Sequence, residues 1–486
     1  MKQEKNLTQK KSEKEKKAKM QTNKYILHMI YLFVLLFVGL IGYLCYFTWK
    51  EAPDLVNSPY NGRLDKLNET CVRGDLVSSD GEVLATTKQD ENGEDVRTYP
   101  YNSVFSHVVG YTSVGEAGLE SSASYYLLNS HESSWNKLYK ELTDRKVTGD
   151  TVTTTLNAEL QQLIYDAMGN YEGACVVMEP STGKILAMVS KPDFNPNTLE
   201  EDYAELISDS SNSNLLNRAT QGLYSPGSTF KIVTALAYLE QNPDDWQDYF
   251  YNCEGSITIE GNKVRCSHGN SHGKVDLSRA LALSCNSAFI NLGVSLDADE
   301  FRATAERLMF NQKLPTKFSV ATSKFDLNGD SSLWSVMQTS FGQGNTLVTP
   351  LQNAMIISAV ANNGVMMLPA LVEKVNSVDG NHEEVFEPTS IGSVMTADQA
   401  SIIGEMMTEV VNNGTAKILQ SSSYQAAAKT GSAQTDNDKE TDAWLVAYAP
   451  AENPQIAVSI VLEEGGAGSE AGGPIVKKIF DALLTD

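Results

Sequence analysis

The first 24 residues are polar, with almost nothing apolar beyond Leu7, and residues 25–49 are the reverse. That second run is built from Ile, Leu, Phe, Val, Tyr and Met and contains no Asp, Glu, Lys or Arg. At about 1.5 Å of rise per residue, a helix of this length crosses a bilayer core of roughly 30 Å. The polar segment before it cannot bury enough surface to offset its ordering entropy, which predicts disorder. Beyond residue 50 the pattern becomes that of a globular chain. Arg73-Gly-Asp-Leu-Val-Ser-Ser-Asp-Gly-Glu-Val-Leu84 alternates around Asp80-Gly81, which predicts two short strands and a hairpin turn. Residues 120–144 read as helical and partly exposed.

A second region opens at residue 156. Leu156-Asn-Ala-Glu-Leu-Gln-Gln-Leu-Ile-Tyr-Asp-Ala-Met168 has helical periodicity. Strands are predicted at 174–178 and 185–189, with Pro180-Ser-Thr-Gly183 as their turn. Pro226-Gly227 breaks the chain just before a helix that begins at Ser228 and continues through 232–239. Residues 276–360 are mostly helical. Strands follow at 426–429, 443–448 and 455–462, then a flexible link at Gly465-Gly-Ala-Gly468 and a closing helix over 474–484. Strands at both ends with helices between predict an α/β (α+β) domain whose sheet joins the two ends of the region. No internal repeat stands out.

Charge sets the orientation. The first 24 residues hold nine lysines and three glutamates, a balance of +6. The whole chain carries −23, so subtracting +6 leaves −29 on the remainder. Lysines before an apolar span keep that side in the cytoplasm. A cleaved signal peptide would have an apolar core of roughly 7–15 residues and small residues at its cleavage site. This run is longer, and Thr48-Trp-Lys-Glu-Ala-Pro53 lacks an Ala-x-Ala-like site. The expectation is a cytoplasmic basic tail over 1–24, an uncleaved transmembrane helix over 25–49 and an extracytoplasmic remainder. The acidic exterior excludes nucleic acid as a partner, since phosphate binding needs concentrated positive charge. Its length predicts two or more domains, divided here as 50–155 and 156–486.

The candidate chemistry lies in the second region. Tyr224-Ser-Pro-Gly-Ser-Thr-Phe-Lys231 places a hydroxyl and an ammonium three residues apart, on one face of a helix. A serine nucleophile needs a base within hydrogen-bond reach, and Lys231 can serve Ser228 only when neutral. Burial and a nearby ammonium both lower a lysine pKa, and Lys429 is the candidate second ammonium. Ser284-Cys285-Asn286 supplies a hydroxyl to relay a proton and an amide to grip a peptide, and its spacing calls for a tight loop. Lys429-Thr430-Gly431-Ser432 reads as an edge strand bordering the cleft. There Gly431 admits substrate backbone, and Lys429 and Thr430 suit a carboxylate. Backbone N–H groups near Ser228 and Ser432 are candidate oxyanion donors. Each piece has a bland alternative: Ser228 as a helix cap, Lys231 as a surface charge, Gly431 as a bend. Three such pieces in this order outweigh those readings.

Six cysteines are present: Cys45, Cys71, Cys175, Cys253, Cys266 and Cys285. Cys45 lies in the span, and Cys175 sits in an apolar run as a buried thiol. Cys253 and Cys266 flank a segment that reads as a hairpin turning near Gly261-Asn262, which would bring the two sulfurs together. A disulfide is allowed outside the membrane, with free thiols as the alternative in a reducing habitat. His268 and His272 raise the question of zinc, but the first gap of twelve residues is far from the two to four of a finger, so no metal is expected. His107 and His131 are lone histidines, read as structural or surface groups.

The chain strongly resembles the class B penicillin-binding proteins, the monofunctional peptidoglycan D,D-transpeptidases, over residues 25–486. Asn217-Arg-Ala219 with Tyr224–Lys231, Ser284-Cys-Asn286 with Phe289, and Ala428-Lys-Thr-Gly431 with Ala443-Trp444 and Tyr448-Ala-Pro450 match that family's three motifs. Phe341-Gly-Gln-Gly344 with Thr349-Pro350 is similar to its segment between the last two. Arg73-Gly74, Asp80-Gly81 and Gly118-Leu-Glu120 are similar to its non-catalytic pedestal. Ser432 stands where many relatives have threonine.

The resemblance implies a serine β-lactamase/transpeptidase-like fold, a central antiparallel sheet flanked by helices, on an extended, mainly β pedestal of the short Gram-positive form. It implies acylation of Ser228 by the penultimate D-alanine of a stem peptide, Lys231 as base, Ser284 and Asn286 as assistants, and Lys429 and Thr430 facing the carboxylate. An amine from a neighbouring stem then resolves the ester, and β-lactams would acylate the same serine. No cofactor is implied, and a polytopic glycosyltransferase of the wall-synthesis complex is the implied protein partner. A glycosyltransferase domain before residue 150 and appended carboxy-terminal domains are not expected. The rivals are a β-lactamase or β-lactam sensor of the same fold, and a scaffold whose activity is incidental. The lactamase lacks a convincing glutamate to activate water.

Overall fold

The computed structural model describes residues 2–47, 70–143, 145–208, 213–434 and 440–485. The chain divides into two compact units, Met1–Gly62 and Arg63–Asp486. In the first, one helix runs over Lys2–Tyr46. The lysine-rich segment is therefore helical, contrary to the expected disorder. Lys, Glu and Gln are good helix formers, and Glu13/Lys17 and Glu15/Lys19 stand four apart with the acid first. Joined to an apolar helix, the segment needs no nucleus of its own. The apolar part of this helix keeps its large side chains exposed, including Leu35 and Phe37, and is long enough to cross a membrane. It is a single long apolar helix of the kind that anchors a protein. The end of the expected span, 48–49, and the start of the exterior region, 50–69, lie outside the described residues.

In the second unit, the upstream region forms a six-stranded sheet with two strands from far downstream. Its order is Glu383–Val385, Val372–Asn376, Thr151–Thr154, Leu76–Val77, Val83–Gln89, Asp95–Thr98. The hairpin expected at Asp80-Gly81 forms, with Leu76 opposite Ala85 and Gly81 at φ 92°. The Asp80 carboxylate accepts the Ala158 N–H at 2.9 Å, tying this turn to the helix Ala158–Met168.

The buried centre of this region is an ion cluster. Glu120, fully buried, accepts Arg73 Nε at 2.7 Å and Arg97 Nε at 2.7 Å, and Arg73 also reaches Glu116 at 2.9 Å. Gly74 is obligatory beside it, because a Cβ there would stand 2.0 Å from the Asp150 carbonyl oxygen.

The second sheet carries the site. Its order is Ala427–Ala433, Asp442–Ala449, Ile456–Leu462, Gly173–Met178, Ile185–Lys191, all antiparallel. The two ends of the region that opens at residue 156 meet in it, and Ala427–Ala433 is an edge strand, as expected. Asp442–Ala449 and Ile456–Leu462 are buried along their whole length, so both faces are covered. Gly468–Leu484 and Pro350–Ala361 cover these two strands, Ala158–Met168 packs on Ile185–Lys191, and Ala397–Asn412 packs on the edge strand.

The link expected at 465–468 is not free. The last helix begins at Gly468, where a Cβ would lie 1.9 Å from the Trp444 carbonyl oxygen, so the glycines pack against the sheet. Between residues 276 and 360 five helices form, with irregular chain over 311–332. Within that irregular stretch Phe325, together with Phe301 and Phe310, surrounds Phe230 at ring-centroid distances of 5.7–6.1 Å.

Glu120→Ala is expected to destabilise the chain by about 3–5 kcal/mol, because it strips the Arg97 guanidinium of its carboxylate partner and leaves Arg73 with Glu116 alone. A lowered midpoint in thermal unfolding checks this, and an unchanged midpoint would contradict the burial assigned to the cluster.

Candidate active site

The segment Ser225–Lys231 is held from several sides. Trp444 Nε1 donates to the Ser225 carbonyl at 3.0 Å, and Gly227 N donates to the Gly342 carbonyl at 2.9 Å. Gly227 takes φ 54°, and a Cβ on Gly342 would fall 1.9 Å from the Gly227 carbonyl oxygen. The Phe341-Gly-Gln-Gly344 segment is thus the support against which the Ser228 turn closes. Gly227–Phe230 is a 3-10 turn leading into the helix Lys231–Gln241, so Ser228 and Lys231 do share one side. Tyr224, just upstream, donates to Glu463 at 2.7 Å, and Arg218 Nε donates to the same carboxylate oxygen at 2.7 Å.

Lys231 is fully buried, and its Nζ has four neighbours. They are Ser228 Oγ at 3.1 Å, Ser284 O at 2.8 Å, Ser284 Oγ at 3.2 Å and Asn286 Oδ1 at 2.7 Å. A neutral amine has two N–H donors and one lone pair. The carbonyl of Ser284 and Asn286 Oδ1 are acceptors and take the donors, which leaves the lone pair for the Ser228 hydroxyl. Asn286 is fixed in that orientation because its Nδ2 donates to the Arg265 carbonyl at 3.1 Å. Burial pushes the Lys231 pKa down to about 7, with Cys285 and Cys266 pulling weakly the other way.

Lys429 is also fully buried, and it donates to Ser284 Oγ at 3.0 Å and to the Thr430 carbonyl at 2.7 Å. Burial first, and then the neighbouring Lys231, push its pKa well below the ordinary value. Two amines bracket one hydroxyl, and each disfavours charge on the other. A chain Ser228–Lys231–Ser284–Lys429 is therefore continuous for proton movement. Ser284 itself sits at φ 52°, a strained left-handed position between two helices, which is the tight loop the spacing called for.

Thr430 Oγ1 lies 2.6 Å from Thr415 Oγ1, a neighbour the sequence reading did not find, because Thr415 belongs to no motif. Ser432 is exposed on the edge strand, its Oγ donating to the Gly466 carbonyl at 3.2 Å. A Cβ on Gly431 would meet Trp444 Cβ at 2.9 Å, Thr229 Cγ2 at 3.1 Å and the Pro226 carbonyl oxygen at 3.3 Å. Gly431 makes room for the Ser228 turn to pack on the strand, a packing demand that the sequence pattern does not reveal.

Beside this cluster the hairpin expected between Cys253 and Cys266 forms, with strands Ser256–Ile259 and Asn262–Arg265. The disulfide does not: both cysteines are free, with their sulfurs 3.6 Å apart. His272 Nδ1 lies 3.3 Å from Cys253 Sγ, and Cys285 Sγ lies 3.8 Å from Cys266 Sγ. These four side chains are the group among the described residues able to hold a metal ion. Finger spacing missed it because the donors come from separate elements, and one of them is inside Ser284-Cys285-Asn286. His107 is buried against Phe194 with its pKa lowered to about 4 by burial, while His131 stacks on His382 and contacts Asp150.

Residues 173–484 match the penicillin binding protein transpeptidase domain, and residues 73–152 match the penicillin binding protein A dimerisation domain. The peptidoglycan D,D-transpeptidase PbpA of Mycolicibacterium smegmatis is 32% identical over 463 residues, which is 89% of this chain and 92% of that protein. The solved D,D-transpeptidase domain of a peptidoglycan glycosyltransferase from Eggerthella lenta is similar at TM-score 0.77 and 32% identity. It covers 85% of this chain and 99% of that one. Penicillin-binding protein A from M. tuberculosis, solved as a ceftriaxone acyl-enzyme complex, is similar at TM-score 0.79 and 28% identity, over 87% of this chain and 100% of that one.

The Lys231 amine accepts a proton only when neutral, so acylation of Ser228 by a β-lactam should rise with pH and reach half its plateau near pH 7. Lys231→Ala should abolish it. Lys429→Ala removes the amine that bonds Ser284 Oγ on the far side of the relay and should slow acylation at every pH. Stopped-flow acylation rates across pH check both, and a flat profile for the unmodified chain would remove Lys231 as the base.

Proposed function

Since this chain belongs to the penicillin-binding protein transpeptidase family, we propose that it cross-links peptidoglycan stem peptides through an acyl-Ser228 intermediate. The observation that carries this reading is Lys231 Nζ standing 3.1 Å from Ser228 Oγ while the Ser284 carbonyl and Asn286 Oδ1 accept from it at 2.8 Å and 2.7 Å. Lys231 takes the hydroxyl proton as Ser228 Oγ attacks the carbonyl of the penultimate D-alanine. The tetrahedral oxyanion is held by the backbone N–H groups of Ser228 and Ser432. Ser284, between the two lysines, passes a proton to the departing amine of the terminal D-alanine. An amine from a second stem then enters along the same path, gives up its proton and takes the acyl group, which restores Ser228 and forms the cross-link.

Binding follows from the same geometry. Asn286 offers its amide to the substrate peptide. Lys429 gives its donors to Ser284 and to its own strand, and so orders the edge that faces the carboxylate. The hydroxyls of Thr430 and Ser432 make the direct contacts. A β-lactam presents the same carbonyl and carboxylate, and acylates Ser228 without leaving it.

The class-B-type fold is set on a pedestal over residues 50–155, of the short Gram-positive form; the dimerisation-domain match over 73–152 supports a separate non-catalytic region there. The apolar helix acts as a single membrane anchor with its lysine-rich end in the cytoplasm and residues 50–486 outside. A polytopic glycosyltransferase of the wall-synthesis complex is the partner this arrangement suits.

Ser228→Ala should keep the fold and lose all β-lactam adduct. Intact-mass analysis of the detergent-purified full chain after penicillin treatment decides it, and an adduct on the alanine variant would refute the assignment. Protease added to cells stripped of their wall should digest the exterior region and spare the first 24 residues. Protection of the exterior would reverse the orientation.

A further inference from the structure

We propose that Cys253, Cys266, His272 and Cys285 bind one Zn²⁺ ion, and that this ion holds the Ser284-Cys285-Asn286 loop in its reactive shape. The four donor atoms all lie within 4.8 Å of one another. Tetrahedral zinc with Zn–S near 2.3 Å and Zn–N near 2.0–2.1 Å requires sulfur–sulfur separations of about 3.8 Å and sulfur–nitrogen separations of about 3.6 Å. The contacts here are 3.6 Å, 3.8 Å and 3.3 Å. A disulfide would use two thiols and leave a third thiol and an imidazole beside it without purpose. Three sulfurs and one imidazole nitrogen suit zinc and do not suit magnesium or calcium, which take oxygen.

The surroundings are built for thiolates. Gly255 N–H points at Cys253 Sγ at 3.4 Å, and Ala288 N–H points at Cys285 Sγ at 3.4 Å from the first turn of the helix Asn286–Ser295. Ser287 Oγ lies 3.2 Å from Cys266 Sγ. Such donors hold metal-bound thiolates in place. The turn carrying Cys253 closes tightly on the turn after Cys266: Gly255 takes φ 92°, and a Cβ there would stand 2.4 Å from the Gly269 carbonyl oxygen. All three cysteines are buried. The segment around them consists of two small two-stranded sheets, which reach the main core through Cys253, Cys266 and Val275 and form a smaller cluster around Ile257, Ile290 and Met337. A metal cross-link would tie these small sheets together at the point where they meet the core.

The link to the reaction is covalent. Cys285 lies between Ser284, whose carbonyl takes one Lys231 N–H, and Asn286, whose Oδ1 takes the other. Asn286 Nδ2 is bound by the carbonyl of Arg265, the residue before Cys266. A metal holding Cys266 and Cys285 therefore clamps this loop from both sides and keeps Ser284 in its strained conformation. Cys285 is a positioning residue, acting through its neighbours.

The test uses the full chain purified in detergent without oxygen. Elemental analysis should find one zinc per chain. Cobalt exchanged into the site should give tetrahedral d–d absorption with thiolate-to-cobalt charge transfer. Cys253→Ser and His272→Ala, both outside the Ser228 cluster, should lose the metal, and His272→Cys should retain it. Removing zinc should slow penicillin acylation on the order of 10- to 100-fold, the scale of a misplaced reacting group. The loss should fall on the acylation rate constant, with the concentration giving half-saturation little changed, and His272→Cys should restore the rate. General unfolding would instead lower the fraction of chain that can be labelled. This second arm rests on the acyl-serine reading, so Ser228→Ala serves as the control: it should bind zinc fully while forming no adduct. Absence of zinc with all three thiols open to a disulfide reagent, or a Cys253–Cys266 disulfide in the anaerobic protein, overturns the site. Zinc present but acylation equally fast without it overturns the positioning role.

Discussion

A lysine shut away from water is the constraint on which the site depends. Stripped of hydration, the Lys231 ammonium is disfavoured, and the neutral amine becomes accessible near pH 7. Neutrality alone would give only a buried amine. Direction comes from the two acceptors, the Ser284 carbonyl and Asn286 Oδ1, which occupy both N–H groups and aim the lone pair at Ser228. The second buried lysine bonds the far side of Ser284, and burial together with the neighbouring Lys231 holds its pKa well below the ordinary value.

That arrangement holds only if three separated segments keep their relative positions, and the glycines show how closely they are pressed. Gly431 brings the edge strand against Thr229 and Pro226, while Gly342 brings its loop against Gly227. The aromatic cluster around Phe230 anchors the residue preceding Lys231. The nucleophile turn is thereby held by backbone contacts on two sides and a packed ring on the third. Little motion is available to Ser228 relative to its base, which is the pre-organisation that acyl transfer requires.

The Ser284-Cys285-Asn286 loop is the least self-sufficient of the three segments. It carries a non-glycine residue at φ 52°, a conformation that persists only when its surroundings over-determine it. Its downstream side is the start of the helix Asn286–Ser295, and its other neighbours are the cysteine-bearing turns of two small two-stranded sheets. The chemistry of those cysteines therefore bears directly on the geometry of catalysis.

Local features of the chain were legible wherever one segment carried its own signal. Three spaced motifs brought Ser228, Lys231, Ser284, Asn286 and Lys429 into view, because each motif concentrates chemically distinctive residues within a few positions. Alternation around Asp80-Gly81 and the apolar runs near 174, 443 and 456 placed strands correctly, since a buried strand needs a continuous apolar run whatever its partners. What the sequence could not show was whatever depends on segments meeting. Helicity of the lysine-rich end follows from its continuity with the apolar helix. Gly431 answers to Pro226 and Trp444, some 200 residues away in chain or across the next strand. Thr415 and Glu463 enter the site only through tertiary contacts. The cysteine cluster makes the point most clearly: spacing along the chain suggested one pair, whereas folding converges four donors from a strand end, two helix starts and a loop, because distance in space is set by packing and not by position in the sequence.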